Sequence, residues 1–326
     1  MTQGDSARFT YLLEPSNDWI SSCKLNKSIV HNIDWQALLQ KSFDIKTIYV
    51  WDEVNSDGFT ISVFSVGPFH IGYIGFPTGG TIKGKPIDIK IINGLQENKL
   101  PLKIHAIRFT NSSFMDKQII NLPSELTNET SIEKLWEWKQ ENLPKAVRSD
   151  IRKSKKNGVE IDNAIGLKDG VNIYELYRKT IKRNKGNERY NSKYFEQLIE
   201  LSKNNKDIQC IKATYNNKTA GFVVLLIQNK IAYYLHSVYV QELQRFRSSD
   251  LLLNSAIDWC KIHNIEKFNF MSSPIGNESL EFYKRKWGGE TRLQKTYTII
   301  LNPIMMKLFD IGNYVRNKIF ILLRWK

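Results

Sequence analysis

The sequence predicts an α/β protein with mixed sheets flanked by helices, built from two domains and a basic amphipathic tail. Three observations lead to this class. A chain of 326 residues has room for two ordinary domains. Short apolar strands alternate with amphipathic helices along most of the sequence. The stretch Ile208–Gly289 orders these elements as three strands, a helix, a strand and a helix.

The first domain is predicted to span residues 1–130. Its clearest element is a hairpin, because two alternating segments flank the turn Asn55-Ser56-Asp57-Gly58. The other elements are strands near 9–13, 69–76 and 102–109 and helices near 34–39 and 86–97. This order resembles that of the second half, which suggests a duplicated fold.

The second domain is predicted to span residues 131–302, after a polar boundary at 121–130. Thr130-Ser131-Ile132-Glu133 has the pattern of a capping box and predicts a helix start. Pro144 is expected to open the next helix and Asn157-Gly158 to end it. Further helices are predicted at 172–183, 194–203, 251–263 and 277–287, and strands at 220–227, 231–239, 267–271 and 296–301.

The positive charge lies in the second half. Residues 1–130 hold 12 Lys/Arg and 13 Asp/Glu, whereas residues 131–326 hold 35 and 20. We therefore expect the second half to attract an anion: nucleic acid, a nucleotide-linked substrate, coenzyme A or an acidic membrane. Lys145, Arg148, Arg152 and Lys155 form one stripe of the predicted helix, either a solvated face or a phosphate-contacting ridge.

Several classes of protein are excluded by what the sequence lacks. It has no nucleotide-binding glycine fingerprint, P-loop, zinc-ligand spacing or nucleophile elbow. Its three cysteines read as free thiols, with Cys210 and Cys260 in the core. The polar start has no apolar signal-peptide core, so we expect a cytoplasmic protein. Because metal-ligand spacing and a nucleotide-binding fingerprint are missing, we also expect no metal and no tightly bound cofactor.

Three features carry candidate chemistry. The start of the helix after Gln244-Arg245-Phe246-Arg247-Ser248-Ser249 offers unpaired N–H groups to an anion. Tyr234 and His236, two apart on a strand, are expected to face one cleft, although a satisfied core pair explains them equally well. Lys284 lies between aromatic residues near the end of a predicted helix. It is either an oxyanion-stabilising cation or a cation that only compensates the negative end of the helix dipole.

The second half resembles the GNAT acyltransferases, and specifically their FemABX-like branch with two GNAT-like domains. The resemblance rests on the runs 148–159, 177–183 and 233–237 and on Tyr283-Lys284-Arg285-Lys286-Trp287-Gly288. The last is similar to the aromatic-Lys-x-x-aromatic-Gly motif of the branch. The branch includes aminoacyl-tRNA-dependent peptide-bridge enzymes and acyltransferases of surface-glycan pathways.

The resemblance implies a role for each matching residue. Lys284 would polarise the acyl carbonyl, and His236 is a candidate base. Substrate would contact Arg183, Tyr234 and Tyr283. Donor-binding residues would be Gln244, Arg245, Arg247, Ser248, Ser249, Arg148 and Arg152. Arg247 and Ser249 replace the two small residues expected in a coenzyme-A loop, and Asn269 stands where the preceding strand often has an acid.

The implied function is amide formation on an amino group of a cell-envelope or surface-glycan precursor. The donor is aminoacyl-tRNA, slightly favoured, or acyl-CoA acting on an amino sugar. A third alternative is a non-catalytic RNA- or membrane-binding module. The tail 303–326 mixes apolar and basic residues, which suits packing on the protein or lying on the anionic inner face of a membrane. The acceptor would be nucleotide- or lipid-linked, and the oligomeric state stays open.

Overall fold

A computed structural model describes residues 9–112, 121–164, 166–184 and 186–323. The strands are β1 (Phe9–Leu12), β2 (Lys46–Asp52), β3 (Asp57–Val66), β4 (Phe69–Ile74), β5 (Ala106–Ser112), β6 (Ser124–Ile132), β7 (Val159–Asn163), β8 (Ile208–Tyr215), β9 (Lys218–Gln228), β10 (Ile231–Tyr239), β11 (Lys267–Pro274) and β12 (Glu290–Ile300). The helices are α1 (Asn17–Leu25), α2 (Ile33–Phe43), α3 (Ile89–Glu97), α4 (Lys145–Lys156), α5 (Leu167–Arg183), α6 (Ser192–Asn204), α7 (Ser248–Ile262), α8 (Glu278–Arg285) and α9 (Pro303–Leu323).

The chain divides into two compact units. The first contains Met1–Cys23, Asp44–Glu125 and Lys295–Lys326, and the second contains Lys24–Phe43 and Leu126–Gln294. In the first unit, β1 to β4 pair antiparallel in sequence order and β4 pairs β5 in parallel. In the second, β7 to β10 pair antiparallel and β10 pairs β11 in parallel, with β6 antiparallel to β11.

The two units therefore repeat one plan. Each has four antiparallel strands followed by a helix and a strand that pairs in parallel, since a parallel pair needs a crossover connection. In the first unit α3 is the crossover helix, and in the second it is α7. The duplicated layout that the sequence suggested is confirmed, as is the mixed α/β class.

The core of the second unit lies between the sheet and α4 and α7. Buried side chains from β9, β10 and β11 pack there against Leu251, Leu252 and Ile257 of α7 and Val147 and Ile151 of α4. Strand β9 is buried along nearly its whole length because helices cover both faces of the sheet, which explains its continuous apolar run. The three cysteines are buried free thiols.

One sequence prediction in this region is wrong. The capping-box pattern at Thr130–Glu133 does not start a helix, because Ser131 and Ile132 are the end of β6 and pair with β11. The Ser131 hydroxyl donates to the Glu133 carboxylate at 2.7 Å instead of capping a helix. Two short 3₁₀ turns, Leu135–Glu137 and Gln140–Asn142, follow before α4. Pairing with a neighbouring strand outweighs this local signal.

The tail is a single helix that continues through Gly312. Its first turns pack on the first unit, where Phe309 contacts Phe69 of β4 at 5.2 Å between ring centroids. Among the helices that the structure describes, none is long and apolar enough to cross a membrane.

Candidate active site

The second unit opens between two parallel strands. The paired positions of β10 and β11 run from Ile231–Lys267 only to Tyr233–Asn269. Strand β10 continues to Tyr239 and β11 to Pro274 beyond these paired positions, and we call the region beyond the last β10–β11 pair the opening. An opening at the carboxyl ends of parallel strands is a common place for a ligand in α/β sheets.

A bulge in β10 separates the two residues that were expected to share a cleft. The register of β10 against β9 shifts between Tyr234 and His236, so Tyr234 lies opposite Leu225 and His236 opposite Val224. Because one extra residue in a strand reverses the side that follows, the two side chains point to opposite faces. The expectation that they face one cleft is wrong for this reason.

His236 lies on the face covered by α6. Its Nε2 is 3.0 Å from the Tyr194 hydroxyl, and the rings of Tyr190 and Phe195 contact it edge-on. Burial lowers the pKa of His236 to about 3, so the ring is neutral near neutral pH. These contacts favour a packing role over the general base proposed from the sequence.

We expect His236→Phe to lower the free energy of unfolding by about 1–3 kcal/mol, because it leaves the buried Tyr194 hydroxyl without its partner. The folded variant should keep kcat/KM within about fivefold of wild type, whereas loss of a general base costs about 10²–10⁴. Urea unfolding and steady-state rates measure the two effects. The double variant His236→Phe, Tyr194→Phe should recover part of the stability, and a hundredfold rate loss would restore His236 as the base.

The Lys284 side chain contacts β11 just beyond the last residue of β11 that pairs with β10. Its Nζ donates to the Met271 carbonyl at 2.6 Å. Met271 has a left-handed backbone with φ of 61°, and its N–H donates to the Asn269 side-chain oxygen at 2.7 Å. Asn269 therefore holds the bulge that turns this carbonyl toward the ammonium group. Sequence reasoning noted Asn269 only as a missing acid and did not identify this positioning role.

The ammonium of Lys284 is the buried charge of the opening. Only 5% of the residue is exposed. Burial lowers its pKa to about 8, and the charges of Glu129 and Glu281 offset part of that effect. A cation with little water around it interacts strongly with a developing negative charge, which is what an acyl-transfer transition state presents.

Two aromatic hydroxyls, one from β10 and one from α8, form a pair. The hydroxyls of Tyr234 and Tyr283 are hydrogen-bonded to each other, and burial raises the pKa of Tyr234 to about 12. At the end of β10, the Arg183 guanidinium lies 5.3 Å over the Tyr239 ring and donates to the Gln241 side chain at 2.9 Å. Of the predicted residues, Lys284 therefore lies at the opening, Tyr234 and Tyr283 pair with each other, and Arg183 contacts the last residue of β10.

The start of α7 carries the predicted donor loop. Arg247 has a left-handed backbone with φ of 60°, a conformation usually taken by glycine. Its guanidinium forms an ion pair with Asp150 of α4 at 3.3 Å. Asp250, in the first turn of α7, is buried and pairs with Lys286 at 3.4 Å. Burial raises the pKa of Asp250, and the Lys286 ammonium opposes that effect.

The remaining donor-loop residues have different environments. Gln244 and Arg245 are exposed, and Arg245 lies over the Phe246 ring at 4.8 Å. Ser248 is buried and Ser249 half-buried. In the part of the chain that the structure describes, no side chain caps this helix start. The N–H groups at this helix start are therefore available to an anion. The nearby carboxylates of Asp150 and Asp250 oppose its binding.

The cationic stripe of α4 is on the surface. Lys145, Arg152 and Lys155 are exposed and Arg148 is half-buried. Burial of Val147 and Ile151 on the opposite face of α4 orients the stripe outward.

A cavity of about 600 Å³ adjoins the carboxyl end of α8. Trp138, Leu143, Lys286 and Arg292 are among the residues that line it. Its five Lys or Arg residues outnumber its three Glu residues. Sequence reasoning missed this cavity because its walls come from two segments, 132–144 and 285–292, that are far apart in the chain. No group of three or more His, Cys, Asp or Glu in the described ranges could hold a metal ion.

Comparison with known proteins places this geometry in a fold family. Residues 131–285 match the family model described as an acetyltransferase (GNAT) domain. No curated protein matches the sequence. Among solved structures, FemX is 12% identical with a TM-score of 0.62, and the match covers 92% of this chain and 99% of FemX.

Two further structures have the same fold. The carboxyl-terminal domain of a putative lysylphosphatidylglycerol synthetase from Agrobacterium fabrum is 13% identical, with a TM-score of 0.54 and coverage of 90% of this chain and 96% of that domain. A tandem GNAT protein from the clavulanic acid biosynthesis pathway is 10% identical, with a TM-score of 0.53 and coverage of 91% and 99%. The predicted double GNAT-like fold is confirmed; at this identity the likenesses show the fold alone.

Proposed function

We propose that this acyltransferase, which has a FemX-like double GNAT fold, forms an amide between an activated aminoacyl or acyl group and an amino group of a cell-envelope or surface-glycan precursor. The observation that carries the proposal is the opening between β10 and β11 with the buried Lys284 ammonium at its edge. One domain of this fold belongs to a protein named a putative lysylphosphatidylglycerol synthetase, which supports the aminoacyl form by analogy of fold.

In the proposed reaction, the acceptor nitrogen attacks the acyl carbon and the carbonyl oxygen gains negative charge. Lys284 stabilises that oxygen, and Tyr234 and Tyr283, whose hydroxyls are hydrogen-bonded to each other, are proposed to contact the substrate. The carbon–oxygen or carbon–sulfur bond of the donor then breaks. The nitrogen loses one proton and the leaving oxygen or sulfur gains one. Arg183, at the end of β10, is proposed to bind an acceptor phosphate.

The start of α7 favours aminoacyl-tRNA over acyl-CoA as donor. A pyrophosphate approaching the helix start would meet the Arg247 side chain, where a small residue is expected, and the carboxylates Asp150 and Asp250. A carboxylate in the first helical turn already occupies part of the positive end of the dipole. Both features weaken the site for the pyrophosphate of coenzyme A.

The exposed cations supply the complementary argument for RNA. Three of the four stripe residues on α4 are exposed, and the cavity beside α8 has more Lys and Arg than Glu. A polyanion can contact both sets at once, whereas coenzyme A carries few phosphates. Gln244, Arg245, Arg148 and Arg152 are therefore proposed to bind the donor through its phosphates.

We expect turnover with charged tRNA in the absence of coenzyme A, and at least about a hundredfold less with acyl-CoA in the absence of RNA. Raising salt from about 50 to 200 mM should weaken the RNA-dependent reaction by about tenfold or more, since each neutralised phosphate releases counterions. Product amide is measured by mass spectrometry. Arg152→Glu with Lys155→Glu should raise KM for RNA, and Lys203→Glu on α6 is the matched control.

Two other outcomes would change these assignments. Robust RNA-free turnover with acyl-CoA would reverse the donor assignment and leave amide formation intact. Absence of turnover with both donors, together with RNA or vesicle binding, would favour the non-catalytic alternative.

A further inference from the structure

Helix α9 has an apolar face that the first unit does not cover. Ile304, Leu308 and Ile311 are 75%, 51% and 52% exposed, and their spacing of four and three residues puts them on one side of the helix. Lys307 is exposed beside them. We call these three residues the α9 stripe.

The opposite side of α9 accounts for its attachment to the protein. Met306 is buried, and Phe309 contacts Phe69 of β4. The Met306 N–H also donates to the Asn302 carbonyl at 3.1 Å, which fixes the first turn. The α9 stripe is therefore held outward by a packed inner side, and its exposure does not come from a detached helix.

The net charge of the segment that carries the stripe is positive. Residues 303–326 contain five Lys or Arg residues and one Asp, and residues 314–326 contain no acidic residue. A helix with an outward apolar stripe and flanking cations has the composition of an interfacial segment that lies on an anionic lipid surface. A second copy of the chain would bring two such cationic segments together, which the charge opposes.

We infer that α9 docks the protein on an anionic membrane surface through the α9 stripe, with Lys307 at the lipid head groups. The inference is independent of the donor and acceptor, because it rests on a helix of the first unit. It gives the enzyme access to a lipid-linked acceptor or to a membrane-bound partner reaction.

The test is cosedimentation of the full chain with vesicles, without donor or acceptor. We expect binding to vesicles containing about one-third phosphatidylglycerol, and at least about tenfold weaker partitioning to phosphatidylcholine alone or in high salt. The variant Ile304→Glu, Leu308→Glu, Ile311→Glu should lose at least about tenfold in partitioning. The control Leu13→Glu, Val54→Glu, Val66→Glu changes three exposed apolar residues elsewhere and should bind like wild type.

Both variants should keep the wild-type thermal midpoint and soluble-substrate activity. If the glutamate variant unfolds, the serine version of the same three changes replaces it and should lose partitioning in the same direction. Wild-type protein that stays in the supernatant, or a stripe variant that binds as well as wild type, would overturn the inference. So would a wild-type dimer by light scattering that the stripe variant converts to a monomer.

Discussion

Lys284→Ala should lower kcat by about a hundredfold or more while the protein stays folded. Loss of one donor aimed at a developing oxyanion typically costs about 10²–10³ in kcat. The ammonium is buried and held at β11 by the Met271 carbonyl, so it is already oriented before the reaction. Steady-state kinetics with the better donor measure the effect, and KM should change little because the interaction strengthens in the transition state.

The stability of this variant should change little. Removing the side chain eliminates a buried cation, which is favourable, and leaves the Met271 carbonyl without its donor, which is not. Lys203→Ala, in the last turn of α6 with a surface partner Glu200, is the matched control and should keep full activity. An Lys284→Ala enzyme within a few-fold of wild type would remove the assigned role.

The pH dependence separates a catalytic cation from a structural one. The pKa of Lys284 is lowered to about 8, so the ammonium is present below that pH and is lost as the pH rises through it. We expect kcat/KM to fall above about pH 8, after a rise that reflects deprotonation of the acceptor amine. Lys284→Arg keeps its charge over this range, so its profile should lack the falling limb even if its rate is lower.

Much of the fold followed from periodicity and turn chemistry. The hairpin around Asn55–Gly58, strand β10 and helix α4 between Pro144 and Gly158 lie where the patterns put them. These elements depend on local signals that tertiary contacts do not oppose. The strand β6 was missed because its pairing with β11 joins segments about 140 residues apart, and local propensity carries no information about such a partner.

The candidate site was predictable in its residue types and not in its geometry. Lys284 lies at the opening, and Tyr283 is hydrogen-bonded to Tyr234. The bulge that sends His236 to the other face depends on one unpaired residue in β10, which an alternating strand pattern does not reveal. The Asn269–Met271 bulge is equally hidden, because it arises from a side chain that bonds the backbone two residues later.

Trp287, in the motif Tyr283–Gly288 that also contains Lys284, has a structural role. This side chain is fully buried in the core of the second unit, and its carbonyl accepts the Trp138 indole N–H at 2.9 Å. The next residue, Gly288, has φ of 89°, which favours glycine and ends the turn after α8. Trp287 thus anchors the segment that carries Lys284.

Trp287→Ala should therefore lower the free energy of unfolding by about 3–5 kcal/mol, the usual cost of removing a buried tryptophan. Urea unfolding followed by far-ultraviolet circular dichroism measures it without relying on tryptophan emission. Trp136→Ala, two residues from Trp138 but 59% exposed, should stay within about 0.5 kcal/mol of wild type.

Trp287→Phe distinguishes packing from hydrogen bonding at this site. The Trp287 indole N–H is buried and has no hydrogen-bond partner among the described residues, so phenylalanine removes an unsatisfied donor along with some volume. We expect a loss of less than about 1.5 kcal/mol, since the removed donor offsets part of the lost contact. A Trp287→Ala variant as stable as wild type would show that the motif's aromatic residue does not anchor α8, and the motif would then owe its spacing to Lys284 alone.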